Sequence, residues 1–258
     1  MKYYFYIFFS FFFATSLAQE SNILVEYEYE NLYYKNTETL IANRKNAKII
    51  TGELKKTNNS NYIKDSEGNY EVFQKNIFIR KQEIYTTSSN NISYIKMPYN
   101  KKEILFVKDS IKEIEWILIP NETKKIGNYI CSKAKIKFRG REYIAYYTSE
   151  IPIAFGPWKF KGLPGLILQV YNTEEADKFI WTAKNIIYPF EDDTNLLWEK
   201  TLNKDLITLE KLIKREDDKR NEDNNVSKAR LPKDVELVSA KTVRRGKELI
   251  YEWEEEKQ

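Results

Sequence analysis

Strict alternation of apolar and polar residues is the pattern that most constrains this chain. Ile23, Val25, Tyr27 and Tyr29 fall on one face of an opening segment and Glu26, Glu28 and Glu30 on the other. That period of two suits a half-buried β-strand and not an α-helix. It recurs in Tyr129 to Phe138 and Arg141 to Thr148, apolar-rich runs separated only by Arg139-Gly140. A two-residue connection ending in Gly predicts a tight hairpin. Ala134, Ile136 and Phe138 share one face of the first run, and Lys133, Lys135, Lys137 and Arg139 share the other, a basic stripe that reads as a solvated outer face. Residues 166–171 and 178–184 pair as a further hairpin, and shorter strands are expected at 47–53, 70–74, 77–86, 102–108 and 114–119.

The period changes after Pro189. No Gly or Pro occurs from 190 to 231, and Trp198, Leu202, Leu206, Leu209 and Ile213 recur at helical spacing, which predicts a helix over residues 195–220. A closing strand is expected with Leu249, Tyr251 and Trp253 on one face. Many short strands against one helix predict a mainly β fold. The expected form is a large curved antiparallel sheet, an open bowl or half-barrel, with one amphipathic C-terminal helix covering it.

Residues 1–18 are not read as part of that fold. Lys2 precedes an apolar run, and Ser16-Leu17-Ala18 forms a small-x-small cleavage site, so a secretory signal peptide is expected. The run is shorter than a membrane span. Residues 19–258 are then a single β-rich domain, exported to the periplasm or beyond, and not an integral membrane protein. With no His in the sequence, imidazole-based nucleophile systems and His-ligated metals are excluded. Cys131 is the single Cys, which rules out an internal disulfide and reads as a small buried hydrophobe. The acidic pairs lack the spacing of an oxygen-ligand cation loop, so no metal and no cofactor is expected. A formal net charge of +4 over 258 residues gives no reason to expect a nucleic-acid partner.

Gly and Pro are scarce, eight and seven in all, yet six of them lie between positions 152 and 165. Gly156-Pro157 and Leu163-Pro164-Gly165 brace a loop in which aromatic and basic residues alternate: Trp158, Lys159, Phe160, Lys161. Two uses of this loop are open. Leu163, Leu166 and Ile167 are core while Gly156, Pro157, Gly162, Pro164 and Gly165 set a sharp crossing between strands; or Trp158, Lys159, Phe160 and Lys161 present a stacking, cationic surface to a glycan, peptide or lipid headgroup.

The hexapeptide Gly162-Leu163-Pro164-Gly165-Leu166-Ile167 resembles the signature of the GLPGLI family. Its surroundings resemble that family too: 125–129 (KIGNY), Gly140-Arg141, 146–152 (YYTSEIP) and Gly156-Pro157-Trp158. The resemblance implies an exported protein of Gram-negative bacteria, linked to outer-membrane transport components and without assigned activity. A weaker likeness, to the bowl-shaped amino-terminal domain of some secreted peptide N-glycosidases, accords with a curved sheet. No catalytic residue carries over. The expected function is therefore a non-enzymatic envelope binding or scaffolding module whose partner is an outer-membrane transport component, glycan, peptide or lipid. A periplasmic lipid or lipoprotein carrier is the alternative, as is a carboxylate-based glycan hydrolase or its accessory domain. Such a hydrolase would draw on Asp109, Glu113, Glu115, Glu142, Glu150 or Asp192-Asp193.

Overall fold

The structure, a computed structural model, describes residues 21–32, 34–51, 62–64, 70–72, 81–99, 102–112, 114–191, 196, 205–229, 244 and 246–255. The expected signal segment, residues 77–80 and the apolar positions Trp198 and Leu202 lie outside the described residues.

The strands are β1 (Asn22–Asn31), β2 (Lys35–Ala42), β3 (Asn46–Thr51), β4 (Tyr62–Lys64), β5 (Tyr70–Val72), β6 (Glu83–Thr87), β7 (Ile92–Pro98), β8 (Ile104–Ser110), β9 (Ile117–Ile126), β10 (Tyr129–Phe138), β11 (Arg141–Thr148), β12 (Leu166–Asn172), β13 (Phe179–Phe190) and β14 (Leu206–Thr208). Helix α1 spans Leu209–Ala229 and α2 Glu252–Glu255. Twelve strands form one sheet in the order β14-β8-β7-β6-β3-β2-β1-β13-β12-β11-β10-β9, and β4 pairs with β5 apart from it. All pairs in the large sheet are antiparallel except β14 against β8. From β1 at the middle the chain steps outward to β8, crosses to the opposite edge at β9, and steps back through β10 to β13.

The sheet is open, since β9 and β14 are its edges, but it curls far enough to bring β8 against the β10–β11 turn. Asp109 near the end of β8 lies 2.7 Å from Arg139 in the β10–β11 turn, although eight strands separate β8 from β10 in the sheet order. A sheet of this size must twist and curl, because adjacent strands rotate against each other. The inner face carries the core. Ile23, Val25, Tyr27 and Tyr29 are all buried, as are Ala134, Ile136 and Phe138. Arg139 and Gly140 have φ of 45° and 82°, the pair of positive angles that a two-residue hairpin turn needs. Cys131 is buried, and that burial, with the Glu150 carboxylate, pushes its thiol up to about 11.

Several expectations are corrected. The helix begins at Leu209 and not near 195, because 206–208 pair with 106–108 of β8 as β14. Ile207 and Thr208 are β-branched and suit a strand, and the Thr208 hydroxyl caps the helix by accepting from the Lys211 N–H at 3.3 Å. Among the described side chains of α1, Leu209 and Leu212 in its first turns are the buried ones that cover the sheet. The closing strand is absent. Leu249 and Ile250 both donate their backbone N–H to the one carbonyl of Arg139, so no ladder forms. Glu254 then accepts from the Tyr251 N–H at 2.9 Å and starts α2. Arg139 leaves the basic outer stripe because its positive φ turns the side chain inward, where it is 6% exposed. Two strands carry no readable period, β2 and β7. Their inward positions include the polar residues Asn36, Glu38 and Ser93, all buried.

Candidate functional site

The Gly- and Pro-rich loop between β11 and β12 enters the curl of the sheet. A bridge between Phe155 and Lys161 and the bond from Gly162 N–H to Ala154 C=O close it into a narrow excursion. Trp158 sits at its turn with φ of 53°, a left-handed conformation costly for a bulky residue. Its ring lies parallel to Trp181 of β13, with centroids 5.9 Å apart, and meets Phe138 of β10 edge-on at 5.7 Å. Phe160 packs on Tyr143 of β11 at 4.9 Å. Gly156 must be Gly, because a Cβ there would lie 2.7 Å from the Ile167 side chain.

The expected aromatic and cationic surface is therefore turned inward. Trp158, Lys159, Phe160 and Lys161 are 6%, 4%, 2% and 6% exposed, so no stacking face is offered to solvent. Leu163, Leu166 and Ile167 are core, with Pro157 and Gly165 also buried and Gly162 and Pro164 at the surface. Alternating aromatic and basic residues suit either outcome. What decides is that each Lys has a polar destination inside. Lys161 donates to the Thr86 hydroxyl and to the carbonyls of Thr87 and Asn90, at 3.1, 2.7 and 2.6 Å. Burial without a carboxylate partner lowers its ammonium to about 8. The Trp116 indole donates to the Lys161 carbonyl at 2.8 Å, so the loop ties the β6–β7 turn to the crossing before β9.

Lys159 belongs to a buried ion cluster. Asp109, fully buried, accepts from Arg139 at 2.7 and 3.1 Å and from Lys159 at 2.6 Å. Glu248 receives Lys159 at 2.8 Å and also Arg139, and Glu252 receives Arg139 Nε at 3.1 Å. Side chains thus close what strand pairing leaves open: β8, the β10–β11 turn, the loop and the C-terminal segment meet at one point. Burial by itself would raise the Asp109 carboxyl, but Lys159 and Arg139 override it and hold it below the ordinary carboxylate range. On β6, burial likewise opposes Tyr85, Lys48 and Lys96, which bring Glu83 down to about 2.

These depressed values set the acid limit. Each carboxylate contributes stability above its unfolded pKa of about 4, and the contribution is lost as pH falls through the lower folded value. The thermal midpoint is expected to stay level from about pH 7 to pH 5 and to drop below about pH 4. In the Asp109→Asn variant the midpoint should be lower at neutral pH, with a shallower acid drop, both read by circular dichroism melts.

A second cluster lies beside the first. Lys247 extends its ammonium to 4.4, 4.8 and 5.5 Å from the ring centroids of Tyr29, Trp181 and Trp158. Glu38 of β2 completes the box, accepting the Trp181 indole N–H at 2.9 Å with one oxygen and facing Lys247 at 3.4 Å with the other. Of these residues only Trp158 stood out in the sequence. Tyr29 reads there as core, and a strand period does not show that Glu38 points inward.

The remaining expected residues scatter. Glu115, Glu142 and Glu150 are exposed, Asp109 is bound to two cations, and Glu113, Asp192 and Asp193 lie outside the described residues. Among the described residues no group of three Cys, Asp or Glu side chains is placed to hold a metal, and no helix is long and apolar enough to cross a membrane. A groove of about 670 Å³ beside α1 is lined by Tyr99 and charged side chains, among them Lys211, Lys214, Arg215 and Asp218.

Residues 138–169, from the end of β10 to β12, match the model of a family described as "Protein of unknown function (Porph_ging)". No curated protein matches the sequence significantly. Solved structures of PNGF-II in two space groups align over 73% of this chain with a TM-score of 0.47 at 16% identity, and the match spans 31% of their chain. The family match is confined to the loop and the strands that hold it, a stretch shorter than the fold itself.

Proposed function

We propose that this chain is an exported, non-enzymatic binding or scaffolding module of the cell envelope, related to the GLPGLI proteins and acting through a protein partner. The observation that carries this reading is the free edge of the sheet. Strand β9 is ten residues long and, among the described residues, pairs with β10 on one side only. Edge strands left open are templates for an added strand, and natural proteins guard them with charge. Here Lys124, Lys125 and Glu122 guard the far half, whereas the near half begins with Ile117 and Leu118, 58% and 52% exposed. An extended segment of a partner can add its backbone to this edge and cover both side chains. The interior favours the binding reading over a lipid carrier, since the loop's rings fill the curl and the groove beside α1 is charged. The buried carboxylate Asp109, already bound by Arg139 and Lys159, is no support for a hydrolase.

A photo-crosslinking residue at position 117 or 118 tests the proposal in the native envelope. A discrete adduct is expected from either, and none from position 142, an exposed site on β11. Equal labelling at all three positions, or none at any, would contradict an edge-specific partner.

A further inference from the structure

We infer that the box formed by Tyr29, Trp158, Trp181 and Glu38 is a recognition site for a methylated ammonium cation, occupied in this conformation by the chain's own Lys247. The inference does not depend on the β9 edge: the two surfaces lie on different strands and are tested separately.

Three rings around one cation, with a carboxylate behind them, is the arrangement that recognises ammonium groups by charge and ring quadrupole together. The walls are rigid and preformed. Tyr29, Trp181 and Glu38 are at most 1% exposed, and Trp158 is 6% exposed. Trp181 meets Tyr29 tilted by 43° with centroids 4.9 Å apart and lies parallel to Trp158 at 5.9 Å. Trp158 holds this position only by adopting a left-handed backbone, strain of the kind that persists where the surroundings fix a site. The Trp181 indole engages one Glu38 oxygen and leaves the other aimed at the cation.

Lys247 fits the box loosely. Its 3.4 Å separation from Glu38 exceeds the roughly 2.7–2.9 Å of a charge-assisted hydrogen bond. A primary ammonium, small and strongly hydrated, gains little from rings 4.4 to 5.5 Å away. Methyl groups on nitrogen would occupy that intervening space and shed water more easily. Lys247 is also not what holds its segment down. The Gly246 carbonyl accepts Arg141 Nε at 2.7 Å, the Lys247 carbonyl accepts the Tyr143 hydroxyl at 2.7 Å, and Glu248 is bound in the ion cluster. The side chain, 22% exposed, can therefore swing out while its backbone stays anchored, opening the box to a cation from solvent.

Tryptophan fluorescence of the Lys247→Ala protein, titrated with tetramethylammonium chloride at constant ionic strength, tests this. A saturable change is expected, with an affinity at least about tenfold tighter than in the wild type, where Lys247 competes. n-Butylammonium, which copies the Lys247 side chain, should bind more weakly, and Glu38→Gln in the Lys247→Ala background should reduce affinity about tenfold. A folded Lys247→Ala protein with no saturable response, or with preference for n-butylammonium, would overturn the assignment. The wild-type protein provides a check that needs no variant. Saturating tetramethylammonium should speed acetylation of Lys247 relative to an equal concentration of sodium chloride, and an unchanged rate would count against displacement.

Discussion

Gly165→Ala is expected to remove about 3–5 kcal/mol of stability, a large part of the roughly 5–15 kcal/mol available to a domain. A Cβ at this position would lie 2.0 Å from the carbonyl oxygen of Thr148 and 2.7 Å from its carbon. Both are backbone atoms at the end of β11, so nothing flexible can yield. The φ of +146° adds strain for any L side chain. Relief would require β11 and the start of β12 to separate just where Leu166 pairs with Thr148. Urea unfolding of Gly165→Ala beside Gly162→Ala isolates the cause. Gly162 also has a positive φ, +93°, but nothing lies within 4 Å of its Cβ position, so that change should cost only about 1–2 kcal/mol. Equal losses would show that backbone angle, and not close approach, fixes the motif.

Arg139→Met should cost about 3–5 kcal/mol through the charges it strands. Asp109 is fully buried and would keep Lys159 alone, while Glu248 and Glu252 would lose the guanidinium that joins them to it. Met keeps the unbranched stem as far as the position of Nε and the same backbone requirement at φ 45°, so the change removes the guanidinium while retaining most of the apolar packing. Pairing it with Asp109→Leu is informative, because removing both members of a buried pair is far less damaging than removing one. The double variant is expected to recover most of the loss in a denaturant melt. If it is as unstable as the sum of the single variants, the residues act independently and the cluster does not close the sheet. In Arg139→Met alone, proteolysis should cut first in the C-terminal segment, since the Arg139 side chain holds both Glu248 and Glu252.

How far the fold was legible varied with the kind of residue facing inward. The β10–β11 hairpin reads directly, since Ala134, Ile136 and Phe138 face the core and Arg139-Gly140 encode the turn locally. Strand β1 reads for the same reason. Strands β2 and β7 do not, because Asn36, Glu38 and Ser93 occupy inward positions and break the alternation that signals a strand. The start of α1 was misplaced by a stripe that continues through Leu206; pairing with β8, distant in sequence, takes those residues into a strand. Tertiary context overrode a local period.

The candidate site was legible only in part. Clustered Gly and Pro marked the loop, and the tightness at Gly156 and Gly165 explains why they are needed there. The direction of its side chains was not readable. Lys159 lies within a few ångströms of Asp109 and Glu248, and Lys161 is held by a turn some seventy residues earlier. None of these partners is a neighbour in sequence.

Local chemistry written along the chain therefore determined the strands with apolar inner faces, the hairpin turn, the position of the motif loop and the buried thiol. These depend on interactions within a few residues, so period and turn composition suffice to state them. Only the tertiary structure decided that β8 and the β10–β11 turn meet through Asp109 and Arg139, that the loop fills the curl, and that Lys247 enters a box of three rings. Each depends on charges and rings from distant strands arriving at one buried point, where low polarity makes pairing compulsory.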